Sequence, residues 1–280
     1  MKKHSSYLIS KKDSAFENRI ISPELAGFYE KIFILQESFL NNLESGNVVS
    51  FHADNKDLPA LKVEHLKFES SLKGELGILL KGITDIIREG NSGLDFTRLS
   101  SEFSGFIQEV FSQLLNRDFE ALEKRASSLK LDFEEFIFVI HNVFKPLALF
   151  LRTSSAFQLD SGQEWFEGTC PFCGYLPGMS KVVGAKDNQR ILSCALCENE
   201  WQFLRVTCFV CGNNDQQKQG FFESIENPLY RAYYCDECKS YIKTLNVSKA
   251  QTEKEYDLYV EDILTTFLDA SMLEKGYSRP

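Results

Sequence analysis

The feature that most constrains this 280-residue chain is its cysteine pattern. All eight cysteines lie between residues 170 and 238, and each belongs to a Cys-x-x-Cys pair. A turn that separates two thiols by two residues directs both sulfurs toward one point, and two such turns facing each other form a tetrahedral site for zinc or iron. The sequence therefore predicts two four-cysteine metal sites, with the ligands Cys170, Cys173, Cys194, Cys197, Cys208, Cys211, Cys235 and Cys238.

The four pairs form an internal repeat of two halves. A glycine follows the second cysteine of each half, at Gly174 and Gly212. Glycine there permits the positive φ that a sharp turn after the second thiolate needs. An arginine precedes the third cysteine by four residues in both halves, at Arg190 and Arg231. The repeat favours sequential pairing, with residues 170–197 at one site and the remaining four cysteines at the other; an interleaved cross-brace is the alternative.

The identity of the metal stays open between zinc and iron, since both accept four thiolates in a tetrahedron. The stretch Cys170-Pro171-Phe172-Cys173-Gly174-Tyr175 resembles the rubredoxin knuckle, which favours iron at the first site. Neither ferredoxin spacing is present, so an iron–sulfur cluster is disfavoured. A closed site of four thiolates has no open coordination position, which favours a structural metal over a catalytic one.

Charge and hydropathy bear on nucleic-acid binding and on the cellular compartment of the protein. The net charge of −9 argues against a general nucleic-acid binder, and residues 170–250 are nearly neutral, with nine Lys/Arg against eight Asp/Glu. No apolar segment follows the charged start, and the longest apolar run, 144–151, contains Lys145 and Pro146. We therefore expect no signal peptide, no membrane span and a cytoplasmic protein, in which paired thiols are metal ligands and not disulfides.

The first half of the chain has helical periodicity. Ser22 and Pro23 predict the N-terminal cap and first residue of a helix that ends near Gly46. Further helices are expected at about 60–89, 94–115 and 117–128, while residues 1–21 give no firm prediction. Asp132 should cap a last helix that Pro146 kinks or ends.

The second half has the pattern of short strands between turns. Strands are expected at 181–183, 190–192, 201–204, 232–234 and 241–243, followed by one helix at about 253–276. The predicted fold class is α+β. It comprises an all-helical domain at 1–160, a hinge near 160–162, two tandem rubredoxin-like or zinc-ribbon units of four cysteines at 165–207 and 208–247, and a C-terminal helix at 250–280.

No pattern of enzymatic catalysis accompanies the cysteines. The sequence has no GxGxxG, Walker, GxSxG or HExxH motif, and we expect no enzyme. The carboxylates near the paired cysteines are expected to be solvated tips: Glu198, Glu200, Asp236 and Glu237. The four histidines, His4, His52, His65 and His141, lie outside the module, and none pairs with another at ligand spacing. His141 has apolar neighbours in a predicted helix and is expected to be a core or surface residue, not a ligand or base.

The module resembles the FdhE family of formate dehydrogenase accessory proteins. The resemblance rests on Cys170-Pro171-x-Cys173-Gly174, on Cys194-x-Leu196-Cys197-Glu198-x-Glu200-Trp201, and on Cys235-Asp236-x-Cys238-x-x-Tyr241-x-Lys243. Near the end of the chain it continues in Glu261-Asp262-Ile263-Leu264, Leu268-Asp269-Ala270 and Glu274-Lys275-Gly276-Tyr277. It covers about 170–277 and does not extend over the helical half.

The resemblance implies a cytoplasmic assembly factor that binds the catalytic subunit of a molybdenum formate dehydrogenase and is needed for the active enzyme. It also implies rubredoxin-like sites that bind iron at the matching cysteines. Two alternatives are a rubredoxin-like electron-transfer protein and a zinc-ribbon binding protein of another pathway. The sequence leaves homo-oligomerisation open.

Overall fold

The computed structural model describes residues 3–17, 21–46, 57–91, 93–155, 157, 164–184, 189–225, 227–247 and 256–280. The chain divides into two compact units. One comprises Phe28–Asp160 and Phe172–Tyr175, and the other comprises Met1–Gly27, Ser161–Pro171 and Leu176–Pro280. His52 and the expected hinge at 160–162 lie outside the described residues. The α+β fold class is confirmed.

The helical unit is built from long amphipathic helices. They are α2 (Pro23–Gly46), α3 (Ser70–Gly90), α4 (Thr97–Asn116), α5 (Phe119–Ser128) and α6 (Phe133–Ser154). Their apolar faces meet in a phenylalanine-rich core, where the rings of Phe111 and Phe144 lie 4.8 Å apart. Burying such rings is the main stabilising contribution of this unit.

Four capping and boundary predictions can be compared with these helices. The Ser22 hydroxyl accepts from the Leu25 amide at 3.2 Å, as an N-terminal cap should, and the Asp132 side chain caps α6. The second helix was predicted to begin ten residues too early, because residues 63–65 form a short 3-10 helix and α3 begins at Ser70. Pro146 was predicted to kink or end its helix; the end is wrong, since α6 continues to Ser154 with Pro146 buried, and the kink stays a prediction. Burial of the flanking residues Phe144 and Leu147 offsets the missing amide.

Helix α6 is also long and apolar enough to pass a length-and-composition test for a membrane span. Its most apolar window is 67% buried within the protein. A core helix of a soluble protein passes the same test, and the burial of this window fits that explanation.

The second unit contains one six-stranded sheet. The strands are β1 (Pro177–Val183), β2 (Gln189–Cys194), β3 (Glu200–Phe203), β4 (Gln219–Glu223), β5 (Tyr230–Cys235) and β6 (Tyr241–Asn246). Their order is β3-β2-β1-β6-β5-β4, and β1 and β6 pair in parallel while the other pairs are antiparallel. The five predicted strands are confirmed, and β4 was missed.

The two ribbons therefore share one sheet. The first ribbon supplies β1–β3, the second supplies β4–β6, and the parallel joint pairs Met179 with Lys243. Across the joint the Ser180 and Thr244 hydroxyls hydrogen-bond at 2.6 Å in a buried position. Because β1 and β6 run parallel, the second ribbon repeats the first by displacement along the sheet. This joint unites two small ribbons that each have little core.

Three helices belong to the same unit as the sheet. They are α1 (His4–Glu17), α7 (Leu258–Leu264) and α8 (Thr266–Glu274). The single C-terminal helix predicted at 253–276 is thus two short helices, divided at Thr265, whose hydroxyl donates to the Glu261 carbonyl at 2.7 Å. Helix α1 was not predicted, because its apolar positions give no clear stripe.

A buried charge network joins β6 to α7 and α8. Lys243 is 1% exposed, and its Nζ lies 2.6 Å from Asp269 Oδ2 and 3.0 Å from Asp262 Oδ1. Arg279 contacts both carboxylates, and the Tyr241 hydroxyl donates to Asp269 Oδ1 at 2.6 Å. Burial alone raises the pKa of Asp262, but Arg279 and Lys243 outweigh it and lower that pKa to about 2. These residues, apart from Arg279, belong to the stretches that carry the FdhE resemblance.

Candidate metal centres

The structure collects the eight cysteines into two groups of four. Cys170, Cys173, Cys194 and Cys197 form the first four-cysteine group, and Cys208, Cys211, Cys235 and Cys238 form the second, with the sulfurs in each group within 4.8 Å of one another. The grouping is sequential, as the repeat predicts, and not interleaved. These two groups could hold metal ions.

The sulfur spacing fits a tetrahedral ion. The Sγ atoms are 3.6 Å apart for Cys170 and Cys197, 3.6 Å apart for Cys208 and Cys238, and 3.8 Å apart for Cys211 and Cys235. A tetrahedron with metal–sulfur bonds of about 2.3 Å has edges of about 3.8 Å. A disulfide would need about 2.05 Å. The donor set therefore suits zinc or iron, and the eight thiols are not cross-linked to each other.

Each of the four knuckles turns through a left-handed residue immediately after its second cysteine. These residues are Gly174, Glu198, Gly212 and Lys239, with φ values of 77°, 56°, 71° and 57°. The sequence predicted the two glycines from their freedom at positive φ. It did not predict the two non-glycine residues, which adopt the same conformation because the knuckle imposes it.

Amide groups in the knuckles point at the sulfurs. The amides of Leu196 and Cys197 donate to Cys194 Sγ at 3.4 and 3.5 Å, and the Asn213 side chain donates to Cys235 Sγ at 3.6 Å. Burial raises the pKa of the Cys235 thiol, but the amides of Cys238 and Glu237 with Asn213 outweigh it and lower that pKa to about 7. Such donors stabilise thiolates and orient metal ligands.

Gly212 offers a test of the knuckle geometry, because a Cβ at this position would meet nothing within 4 Å. Gly212→Ala therefore adds backbone strain without a clash, and we expect the free energy of unfolding to fall by about 1 kcal/mol. Urea denaturation followed by fluorescence checks this, because both tryptophans, Trp165 and Trp201, report on the ribbon unit. Gly77→Ala, also without a clash but inside α3, should instead stabilise by roughly 0.5–1 kcal/mol. Because α3 lies in the helical unit, which contains neither tryptophan, urea denaturation of this variant is followed by circular dichroism of the helical signal. Equal effects of the two substitutions would contradict the prediction.

A buried histidine lies beside the first four-cysteine group. His4 Nε2 is 2.8 Å from Glu198 Oε1, and His4 Nδ1 is 2.6 Å from Asp257 Oδ2. The expectation of a solvated Glu198 is wrong, since its side chain is only 6% exposed. His4 comes from α1 and Asp257 caps α7, so this triad ties both helices to the knuckle. Sequence reasoning missed it because the three residues lie far apart in the chain.

The neighbouring turn of α1 makes a second contact of this kind. Glu261 is 1% exposed on α7, and its carboxylate accepts from the Tyr7 hydroxyl and, at 2.6 Å, from the Tyr230 hydroxyl of β5. Lys11 lies 3.9 Å away. His4, Tyr7 and Lys11 follow helical spacing, which is the signal that could have indicated an anchoring face on α1.

The triad should make the docking of α1 depend on pH. Burial lowers the pKa of His4, but Glu198 and Asp257 outweigh it and raise that pKa to about 9. A raised pKa means that the stabilisation is complete below about 6.5 and is lost as pH rises through 9. Hydrogen exchange of the α1 amides should therefore quicken between pH 7 and 10, after correction for the intrinsic pH dependence of exchange. Roughly 3 kcal/mol of protection is at stake.

The control for this prediction is a second histidine. His4→Gln should remove most of the pH-dependent protection of α1, whereas His65→Gln, at an exposed position, should leave it unchanged. Protection of α1 that stays constant from pH 6 to 10 would contradict the assigned imidazolium.

The remaining charged candidates lie as expected. Asp236 and Glu237 are exposed and pair with Lys239 and Lys218 at the rim of the second group. His141 is half-buried in the helical unit, where its ring lies 5.7 Å from that of Tyr175. Among the described residues, neither His141 nor His65 belongs to a cluster of metal-ligating side chains.

The fold and the site define a protein with a helical unit and a six-stranded sheet that carries two four-cysteine ribbons. Two family models match this chain: the FdhE central domain over residues 169–205 and the FdhE C-terminal domain over residues 206–280. A protein FdhE homolog from Haemophilus influenzae (strain PittEE) is 38% identical over 115 residues, 39% of this chain and 35% of the relative. A protein FdhE homolog from Aquifex aeolicus (strain VF5) is 32% identical over 117 residues, 41% of this chain and 40% of the relative.

A solved structure extends the similarity in fold. The crystal structure of the FdhE protein from Pseudomonas aeruginosa aligns with a TM-score of 0.57 over 99% of this chain and 92% of that one, at 15% identity. The sequence matches span little more than a third of the curated relatives' length. Residues 169–280 therefore match the two FdhE family models, and the remainder of the chain resembles the FdhE protein only in fold.

Proposed function

We propose that this protein is a cytoplasmic accessory protein that binds the catalytic subunit of a molybdenum formate dehydrogenase and assists its conversion to the active enzyme. The observation that carries the proposal is the coincidence of the two FdhE domain matches with the two four-cysteine ribbons. The protein then acts by binding and not as an enzyme. Its metal ligands are the eight cysteines, and each group holds one iron or zinc ion.

The two sets of four sulfur ligands support a structural role for the metals. Four sulfurs complete a tetrahedron, which leaves no position for a substrate. The first group is buried at all four cysteines. Each ion closes a loop in a ribbon with little core and so contributes folding free energy. The metals would thereby hold a rigid surface for the partner.

The second ribbon and the segment that leads into it also present apolar side chains that suit a partner surface. Val206, Val210, Phe221 and Ile225 are 42%, 42%, 46% and 96% exposed. Exposed large apolar residues of this kind are costly in water and often take part in protein binding.

Co-purification tests the proposal. Tagged protein, expressed in cells that make a molybdenum formate dehydrogenase, should recover the catalytic subunit. The pair of substitutions Phe221→Ser and Ile225→Ser should lower the recovery severalfold at unchanged metal content. Ile78→Ser, 68% exposed on α3, is the matched control and should have no effect. Absence of the catalytic subunit with wild-type bait would refute the proposal.

A rubredoxin-like electron-transfer protein is the second candidate. Cys211 is exposed and Cys238 is partly exposed, so one edge of the second group faces solvent. That exposure would let electrons reach an iron ion at this site. Anaerobic purification with elemental analysis discriminates the candidates, because ferric iron bound by four thiolates is red and bleaches on reduction, while a zinc site is colourless.

A further inference from the structure

Arg190 is a buried cation in the sheet unit. It lies on β2 of the first ribbon and is 6% exposed. Its Nη1 donates to the Thr207 carbonyl at 3.2 Å, and its guanidinium carbon is 5.8 Å from the ring centre of Phe203 and 5.9 Å from that of Tyr233. Among the residues the structure describes, no carboxylate pairs with it, and its Nε has no hydrogen-bond partner. A buried charge without an opposite charge is strongly destabilising.

The space around Arg190 is too small for a bound anion. Arg190, Thr207, Cys208 and Tyr233 are among the residues that border a cavity of about 20 Å³. A cavity of that size accommodates about one water molecule. The cavity itself therefore has no room for a phosphate or carboxylate ligand.

The second four-cysteine group does border the same cavity, through Cys208 and Cys235. A divalent ion bound by four thiolates carries a net charge of about −2. Burial lowers the pKa of Arg190 to about 10, while Tyr233 and Cys208 act to raise it. An arginine guanidinium keeps its charge at neutral pH in any case, and that of Arg190 belongs to a residue that borders the same cavity as Cys208 and Cys235.

We propose that Arg190 is the counter-charge of the second metal site and reaches it from the first ribbon. The guanidinium partly neutralises the thiolates of Cys208, Cys211, Cys235 and Cys238, and its bond to Thr207 holds the chain that enters this knuckle. Arg190 is a positioning and charge-balancing residue, not a ligand. The proposal rests on metal binding by the eight cysteines, as proposed above.

The repeat provides a natural comparison. Arg231 occupies the equivalent position in the second ribbon, four residues before Cys235, but it has a carboxylate partner. Its Nε donates to Glu223 Oε2 at 2.7 Å, and its guanidinium carbon lies 4.1 Å from the ring centre of Phe221. The two arginines are therefore equivalent in the repeat, but only Arg231 is neutralised by a carboxylate.

The test measures zinc release from each site separately. Full-length protein loaded with two zinc ions is challenged with a chelator, and alkylation of each cysteine is followed by peptide mass spectrometry. Arg190→Met should speed release at the second site by about 10- to 100-fold, as loss of an outer-shell partner does, and leave the first site unchanged. Arg190→Lys should stay within about threefold of wild type, since it keeps the charge.

Two controls separate Arg190 from its surroundings. Arg231→Gln should release zinc from the second site at the wild-type rate. Asp187 lies three positions before Arg190 and outside the described residues, and Asp187→Asn should likewise change nothing. An effect of Asp187→Asn equal to that of Arg190→Met would assign the counter-charge to Asp187 and overturn the proposal.

The remaining outcomes also decide. If Arg190→Met releases zinc from both sites at the wild-type rate, the proposal is overturned. It is also overturned if Arg190→Lys releases zinc from the second site as fast as Arg190→Met does, because that result would mean that packing and not charge matters. If the methionine variant does not fold, Arg190→Gln, which is neutral but polar, carries the test: release from the second site within threefold of wild type overturns the proposal. If the wild-type protein binds zinc at neither site, metal binding itself is refuted. If it binds two zinc ions but Arg190→Met releases them at the wild-type rate, only the role assigned to Arg190 is refuted.

Discussion

Replacing one cysteine of either group is expected to remove one of the two metal ions and to unfold the ribbon that held it. Cys194→Ser should abolish binding at the first site and Cys235→Ser at the second, each lowering the metal content from two ions per chain to one. The affinity of the damaged site should fall by more than about a hundredfold, because even an outer-shell partner is worth 10- to 100-fold. Elemental analysis with circular dichroism measures both effects.

Double substitutions test the pairing of the ligands. Because the structure groups Cys170 with Cys194, changing both to serine should still leave one ion per chain. Changing Cys170 and Cys208 should remove both ions. An interleaved arrangement, in which the pairs at 170 and 208 share an ion, predicts the reverse outcome in these two variants. The double variants therefore separate the alternatives that single variants cannot.

Lys243→Ala is expected to give the largest loss of stability outside the cysteines. After the substitution, Arg279 is the cation that remains for the carboxylates of Asp262 and Asp269. Removing one partner from such a buried network lowers the free energy of unfolding by about 3–5 kcal/mol. Urea denaturation followed by tryptophan fluorescence measures it. Lys218→Ala removes an exposed ion pair with Glu237 and should cost about 0.5 kcal/mol or less.

The pH dependence of this loss has a definite sign. Asp262 has an ordinary pKa of 3.8 that the network lowers to about 2, so its stabilisation is present above 3.8 and is lost as pH falls toward 2. The difference between wild type and Lys243→Ala should accordingly shrink below pH 4. Adding Asp262→Asn to Lys243→Ala should recover part of the stability at pH 7. A difference that is constant from pH 2 to 7 would show that Lys243 acts through packing alone.

Local features of the sequence were good predictors of the site. The cysteine spacing and the repeat predicted both four-cysteine groups and their sequential pairing, because knuckle geometry depends on only a few adjacent residues. Gly174 and Gly212 were predicted at positive φ for the same reason. The strand β4 was missed because its sequence, Gln219–Glu223, lies at a sheet edge and lacks the alternation of a half-buried strand. Glu198 was assigned to solvent because its partner His4 is almost two hundred residues away.

By itself the sequence determined the class of the protein: a helical part, eight thiols with the spacing of two tetrahedral sites, and the resemblance to the FdhE family. Only the tertiary structure decided that the ribbons join through β1 and β6, that α1 is anchored to the knuckle by His4, and that buried Arg190 borders the same cavity as the second group. The reason is the range of the interactions. Turns and ligand spacing are fixed within a few residues, whereas strand pairing and buried charges depend on contacts between segments far apart in the chain.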